Sequence, residues 1–538
     1  MKARDPTLRP QARLQVQSRG RLLRAPTFWQ LLQSRAACTP HATMLIDGER
    51  GLRITFAQVH DIAQRLAAGL HALGIRSGST VTWQLPTGSV AVVTALALAR
   101  LGAVQNPVIW LYGARELATV LARSQSQFLL IDGSDEARQR AVDAMSTLCL
   151  APALIPMSDE LPQGEPSSLE PFAGDSDGAR WVYYTSGTTS QPKGAMHSDN
   201  TLMLGGLNLA RAMQVGSHDV GSIAFPYAHI GGAMYTAMLL ASGMSAVLVE
   251  RFQAAKAVRL FAHHRVTTTG GSTAHYQALL AEQRGQPERP LLPAMRLLCG
   301  GGAFCPAPLH EQVRAELGCT LTHNYGMTEI PLICAGTPSD SAEALAGSCG
   351  LPVEGVEMRV VGKTGVLPSG AEGEIRVRGP AVFLGYTDQS LMTEAFDEDG
   401  FFRTGDLGRV RPDGRVVLTG RLKDVIIRKG ENISALELEE ILQRHDKVAA
   451  AAVIGLPDAQ RGERVCAVIE PAPGQPPLTY EEMVGLFLSA RVMVQKIPEQ
   501  LEIVDPLPRN DTMNKILKHE LRARFSSSEQ PPLSQPSG

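Results

Sequence analysis

Apolar positions along the chain follow two alternating rhythms. Thr55 and Gln58 bracket a capping box, and Val59, Ile62, Ala63, Leu66, Leu70 and Leu73 then recur at helical spacing until Gly74. That pattern predicts a packed amphipathic helix. Beyond it Val81, Trp83 and Leu85 alternate as a strand, 89–101 reads as a buried helix, and 128–131 reads as a further strand. The same sequence of elements returns at 295–299 (strand), 307–317 (helix) and 320–324 (strand), while 150–178 is a loop leading into a strand at 181–185. Strands separated by helices argue for a parallel sheet with crossovers, and in such sheets ligands collect at the carboxyl ends of the strands. Polar, glycine-bearing segments at 184–197, 300–303 and 325–329 all fall there.

The later part of the chain changes character. Short β-like runs at 374–378 and 415–419 surround 402–406, Ser434 and Glu437 cap a short helix, and alternating segments continue to about residue 525. The expected fold class is α/β, with a large N-terminal multi-sheet α/β domain at 26–422 and a small mobile α+β C-terminal domain at 423–525. Residues 1–25 read as a disordered basic tail and 526–538, rich in Ser, Pro and Gln, as a second disordered tail. The run 230–249 approaches membrane length, but Gly231, Gly232, Ser242, Gly243 and Ser245 interrupt it, so it predicts a buried helix followed by a strand.

Bulk composition narrows the classes. At 538 residues the chain exceeds a single core, and 44% apolar with 19% charged residues describes a soluble globular protein. Lys and Arg (51) balance Asp and Glu (53), which excludes a nucleic-acid surface. Eight cysteines contain no C-x-x-C pair and fit small apolar thiols in a reducing compartment, so the expected location is cytoplasmic. The first 25 residues carry seven basic side chains and the single acid Asp5, without the apolar core of a signal peptide.

The segment 184–197 (YTSGTTSQPKGAMH) carries the candidate chemistry. Thr185, Ser186, Thr188, Thr189 and Ser190 surround Gly187, and Lys193 follows, so backbone N–H groups, hydroxyls and one ammonium can face an anion. A P-loop would need Gly, four residues, Gly-Lys and then Ser or Thr. Here five residues separate Gly187 from Lys193, and Gly194 stands where the metal-binding hydroxyl would be. This is an anion cradle of another kind.

The segment resembles the phosphate-binding signature of the adenylate-forming superfamily, which includes acyl-CoA synthetases, peptide-synthetase adenylation domains and luciferases. The resemblance extends from about residue 27 to 522 and is carried by further motifs in the expected order. It implies an acyl site at His229 within 225–232 (FPYAHIGG), with Gly300 and Met327 beside it. Gly301, Gly302 and Ala303 match the adenine-contacting segment, and Tyr325, Gly326, Thr328 and Glu329 match the motif whose aromatic residue flanks adenine and whose glutamate holds magnesium. Asp406 and Arg421 are implied for the ribose, Lys423 for the hinge, Lys429 and Gly430 for the CoA path, and Lys515 for adenylation. Thr188, His229, Glu329 and Lys515 form the implied catalytic set. Taken singly, Glu329 reads as a solvated loop residue, Asp406 as a turn, His229 as a core histidine and Lys515 as part of a basic helix. Their order along the chain gives them weight.

The resemblance implies an acid–CoA ligase using ATP, Mg2+ and CoA, in which a carboxylate displaces pyrophosphate from ATP and CoA then displaces AMP. Peptide-synthetase domains usually carry an aspartate near the start of the His229 segment, whereas no acid lies between Ser222 and Gly232 here. A neutral acyl group is expected: medium- or long-chain, alicyclic or steroidal, with Gly231, Gly232, Gly270, Gly271 and 300–303 leaving room for it. Expected partners are the small-molecule acid, ATP and CoA, with no nucleic acid and no transmembrane segment; a homodimer is compatible. Loading of a carrier-protein thiol, luciferase-type oxygenation and nucleotide binding without turnover stay open as alternatives. Asn514, Ala435 and Phe401 depart from the residues common in the family at those positions.

Overall fold

The capping box at Thr55 forms as a reciprocal pair. The Gln58 N–H donates to Thr55 Oγ1 at 3.2 Å and the Thr55 N–H donates to Gln58 Oε1 at 2.8 Å, starting the helix Phe56–Ala72. Its stripe of Val59, Ala63, Leu66 and Leu70 is buried in the same core as the helix Ser89–Leu101, which is apolar on nearly every side. Gly102 ends that second helix by turning into the left-handed region at φ 68°, where a side chain would be strained. The computed structural model describes residues 22–48, 50–158, 160–185, 192–302, 305–428, 431–458, 461–490, 492–510 and 515–526.

The described chain gathers into two compact units. One comprises residues up to 358 together with 377–402; the other comprises 359–376 together with residues from 403 onward. The chain therefore divides at 358/359, 376/377 and 402/403, whereas the sequence places a boundary at Lys423.

The first unit contains three sheets. In the seven-stranded sheet the strands run in the order Gly385–Tyr386, Lys193–His197, Trp181–Thr185, Val104–Pro107, Thr80–Gln84, Phe128–Asp132 and Ala153–Met157. The last five are parallel, as the helix–strand alternation predicts, whereas Lys193–His197 returns antiparallel to Trp181–Thr185. A five-stranded sheet pairs Thr268–Thr269, Leu297–Gly301 and Thr320–Met327 in parallel, then turns back through Ile330–Ala335 to Leu351–Pro352. The third sheet has the order Arg53–Thr55, Thr43–Asp47, Ser245–Leu248 and Val220–Ile223. The segment 230–249 forms the buried helix Ile230–Ser242 and the strand Ser245–Leu248, and no described helix is long and apolar enough to cross a membrane. Leu23, within the tail expected from the sequence, donates its N–H to the Ala241 carbonyl at 2.9 Å.

The second unit holds a five-stranded sheet around the antiparallel pair Phe402–Val410 and Val416–Arg421 and another ordered Glu431–Ser434, Val425–Arg428, Gly462–Pro471 and Val448–Asp458, with Gln500–Ile503 pairing parallel to Gly462–Pro471. Helices Ala435–Leu442 and Tyr480–Ser489 bury Leu438, Leu442, Met483 and Phe487 against that last sheet, giving the α+β character expected of it.

One buried polar residue locks the seven-stranded sheet to its covering helix. Gln105 accepts from Trp83 Nε1 at 3.1 Å and donates from Nε2 to the Ala95 carbonyl at 3.0 Å, with both side chains almost fully buried. Trp83→Phe leaves the Gln105 oxygen without that donor, a change that costs roughly 1–3 kcal/mol for a buried group. A fall in Tm of roughly 2–8 °C is expected by calorimetry. An unchanged Tm would show that the pairing contributes nothing.

Candidate active site

Strand pairing reaches into the segments 300–303 and 325–329 and takes in 402–406. Leu297–Gly301 runs in register with the neighbouring strand, Gly300 opposite His323 and Gly301 opposite Asn324. A Cβ on Gly301 would lie 2.4 Å from the Asn324 carbonyl oxygen, and one on Gly326 would lie 2.4 Å from that of Pro331. Without side chains the strands close up, so pairing extends further than composition suggests. The strand Thr320–Met327 then reverses through Thr328 and Glu329, with Met327 opposite Ile330. The 402–406 segment likewise lies within the continuous strand Phe402–Val410.

Glu329 is therefore the second residue of a tight turn, and several groups hold that turn. The Phe383 N–H donates to the Glu329 carbonyl at 2.8 Å, and His197 Nε2 lies 2.7 Å from the Thr328 carbonyl. Burial lowers the His197 pKa to about 4 while the Thr328 contact pulls the other way, so the ring is neutral at pH 7. A carbonyl only accepts, so the proton sits on Nε2, with Nδ1 3.0 Å from the Thr201 hydroxyl. The Tyr386 hydroxyl donates to Glu329 Oε1 at 2.7 Å.

The phosphate signature proves to be a hairpin. Thr185 pairs with Lys193 at its open end, and the Lys193 ammonium lies 5.4 Å from the centre of the Tyr386 ring. Ser186, Gly187, Thr188 and Thr189 at the tip lie outside the described residues, as do Ala303, Lys429, Gly430 and Asn514. His197 closes the same motif, and Tyr386 lies far downstream of it; the sequence alone assigns a role to neither. For His197 the signal was available, since it ends the quoted motif.

His229, expected at the acyl site, caps the helix Ile230–Ser242, its Nδ1 accepting from the Gly231 N–H at 3.2 Å. The preceding segment is pinned by Thr87, whose hydroxyl donates to the Phe225 carbonyl at 2.9 Å and accepts from the Tyr227 N–H at 3.0 Å. At three of the glycines expected to leave room, the space beside the backbone is already filled. A Cβ on Gly232 would lie 1.9 Å from the Tyr227 carbonyl oxygen, one on Gly300 would lie 1.8 Å from that of Gly271, and one on Gly271 would lie 2.8 Å from His275 Cβ. Gly232 and Gly300 let backbone segments touch, and Gly271 makes way for the His275 side chain. They do not enlarge a pocket.

In the second unit, Asp406 sits opposite Arg421 in paired strands, with Arg421 Nε 2.9 Å from Asp406 Oδ1. The Asp406 side chain is almost fully enclosed while the Arg421 side chain is 44% exposed, so the pair presents its cation outward. Gly405 before it has φ 69°, a conformation that favours glycine, and Thr404 Oγ1 accepts the Asp406 N–H at 3.0 Å. Lys515 belongs to a loop closed by paired bonds, Lys515 N–H to Asn510 Oδ1 and Asn510 N–H to the Lys515 carbonyl, both at 2.9 Å. Arg509, bonded to Glu470 at 2.6 Å, anchors that loop to the strand Gly462–Pro471. Burial and then Arg421 lower the Lys515 pKa to about 8, Asp406 opposes them, and Lys423 adds to the lowering. Lys515, Arg421, Asp406 and Lys423 thus share one electrostatic patch. Next to Lys423, Asp424 Oδ1 accepts from Arg522 Nη2 at 3.1 Å.

Among the described residues no three His, Cys, Asp or Glu side chains gather into a metal cage. A single carboxylate beside a phosphate-type hairpin suits Mg2+, which takes few protein ligands and completes its shell with phosphate oxygens and water.

The AMP-binding enzyme model matches residues 32–387, and the AMP-binding enzyme C-terminal domain model matches 437–513. Feruloyl-CoA synthase from Amycolatopsis sp is 34% identical over 495 residues, covering 91% of this chain and 97% of the relative. Medium-chain fatty-acid–CoA ligase from Escherichia coli (strain K12) is 31% identical over 514 residues, covering 92% and 89%. The ATP-bound crystal structure of MatB from Rhodopseudomonas palustris superposes with a TM-score of 0.84 at 29% identity, covering 94% of this chain and 99% of that one. With both domains matched and relatives aligned over nearly their whole length, the chain belongs to the AMP-binding enzyme family, in the acyl-CoA synthetase branch of the adenylate-forming superfamily, as an ATP-dependent acid–CoA ligase.

Proposed function

We propose that the acid is apolar and without a second charge, a medium- or long-chain, alicyclic or steroidal carboxylate, and that the chain converts it to an acyl-adenylate before thioester formation. The supporting observation for the first step is the patch in which Lys515 accompanies Asp406 and Arg421. A carboxylate can accept a vicinal diol while cations beside it face the phosphate of the same nucleotide. For the acid, the absence of any Asp or Glu between Ser222 and Gly232 leaves no counter-ion for an α-ammonium.

A carboxylate is a poor acyl donor because its charge resists attack and its leaving group is bad. In the first half-reaction its oxygen attacks the α-phosphorus of ATP and pyrophosphate departs, giving a mixed anhydride with AMP. In this reading Thr185, Ser186, Gly187, Thr188, Thr189 and Lys193 take the phosphates, while Gly301, Gly302, Ala303, Tyr325, Gly326 and Thr328 take the base. Asp406 and Arg421 take the ribose. His229, Gly300 and Met327 border the acyl group. Magnesium, held at Glu329, supplies neutralisation of phosphate charge when bound. Lys515 carries its positive charge to the α-phosphate, where negative charge accumulates. In the second half-reaction the CoA thiolate attacks the acyl carbon, the C–O bond to AMP breaks and AMP leaves, with Lys429 and Gly430 along the CoA path. Rotation about Lys423 exchanges the two arrangements, a kind of step that commonly limits turnover.

The deciding experiment is a panel of acids supplied with ATP and CoA and read out as AMP release. Apolar monocarboxylates are expected to outrun amino acids and dicarboxylates; preference for a phosphopantetheinylated carrier over free CoA would redirect the reading to carrier loading. The two lysines should separate the half-reactions. Lys515→Ala is expected to cut acid-dependent pyrophosphate exchange by roughly 10² to 10³, as for a removed electrostatic stabiliser, while thioester formation from supplied acyl-adenylate persists. Lys423→Pro is expected to do the reverse. Equal loss of both activities in either variant contradicts its assignment. Because Lys515 is a cation only below its pKa of about 8, kcat/KM for ATP in the exchange reaction should fall as pH rises through that value. In Lys515→Arg the residual activity should lose that basic limb, since a guanidinium stays charged; a limb in the same place would assign it to another group.

A further inference from the structure

Glu329 is the one carboxylate proposed for the metal, and its orientation is set by a residue with no assigned part in the reaction. Tyr386 lies in the short strand Gly385–Tyr386 at the edge of the seven-stranded sheet, with Tyr386 opposite Ala195 and Gly385 opposite Met196. That pairing carries its ring alongside the returning arm of the phosphate hairpin. One face of the ring meets the Lys193 ammonium at 5.4 Å, and the hydroxyl reaches Glu329 Oε1 at 2.7 Å. The residue is 5% exposed and its ring packs edge-on against Phe383 with centres 4.8 Å apart, and the Phe383 N–H holds the Glu329 carbonyl. Burial, then the neighbouring carboxylate, keeps the phenol protonated well above the ordinary tyrosine range, so toward Glu329 it only donates.

We propose that Tyr386 is a positioning residue for the metal carboxylate: it occupies Oε1, fixes the Glu329 rotamer, and leaves Oε2 to meet the cation that accompanies ATP. The inference rests on the proposed metal role of Glu329. It differs from a packing role in a checkable way. The ring supplies the packing and the face toward Lys193, whereas only the hydroxyl touches Glu329, so Tyr386→Phe separates the two. Partners that orient a metal ligand commonly contribute 10- to 100-fold to metal affinity.

The test uses the full chain with α,β-methylene ATP, which supports binding without turnover, and reads Mn2+ binding by electron paramagnetic resonance. Tyr386→Phe is expected to weaken Mn2+ binding in the nucleotide complex by roughly 10-fold, with Tm and metal-free nucleotide affinity essentially those of the parent. In pyrophosphate exchange the Mg2+ concentration for half-maximal rate should rise by a similar factor while KM for the acid stays put. Added to Glu329→Gln, the Tyr386→Phe change should cost nothing further, because a residue acting through Glu329 has nothing left to act on. Unchanged Mn2+ affinity in Tyr386→Phe overturns the proposal, as does an equal further loss in the Glu329→Gln background. Absence of acid-dependent exchange in the parent protein would instead refute the proposed function, and the Mn2+ measurement would still judge Tyr386.

Discussion

Mutual repulsion between a carboxylate and a triphosphate is the constraint that this chain has to meet. Cations relieve such repulsion, but a flexible cation loses conformational entropy on binding and a buried one loses charge. The chain works between those limits. Lys193 sits on a paired strand, with its ammonium over the Tyr386 ring. Lys515 lies on a loop closed by its own reciprocal bonds, and its surroundings bring its pKa to about 8, where the cation persists at neutral pH. Arg421 is held by the enclosed Asp406 carboxylate, which orients the guanidinium while its side chain stays half-exposed.

The acids in the site serve geometry as much as charge. Asp406 is fixed through its N–H by Thr404 and paired with Arg421, which leaves the carboxylate buried but satisfied. Glu329 sits at the apex of a turn that His197, Phe383 and Tyr386 hold from the strands around it. A neutral His197 suits that task, because a charged ring at this depth would demand a counter-ion. Hairpin and turn lie in one compact unit, and Asp406, Arg421 and Lys515 lie in the other.

Glycine shows how composition can mislead about space. A run of glycines reads as room for substrate, yet at Gly232, Gly271 and Gly300 the missing Cβ is filled by a neighbouring carbonyl or side chain. Close backbone approach extends the strands up to the site and gives it a rigid floor.

Local information was legible in the sequence. The capping box at Thr55, the Ser434 helix cap, the helix Ser89–Leu101 and the parallel character of the strands all follow from spacing over short stretches, because caps and periodicity are local interactions. Motif order also singled out Lys193, Glu329, Asp406, Arg421 and Lys515 as a group. What the tertiary structure decided is who holds whom: Tyr386 meets Glu329 across 57 positions and His197 meets Thr328 across 131. No periodicity spans such separations, since those contacts exist only after sheets have paired and turned back, and a side chain's role in them depends on packing that the order of residues does not carry.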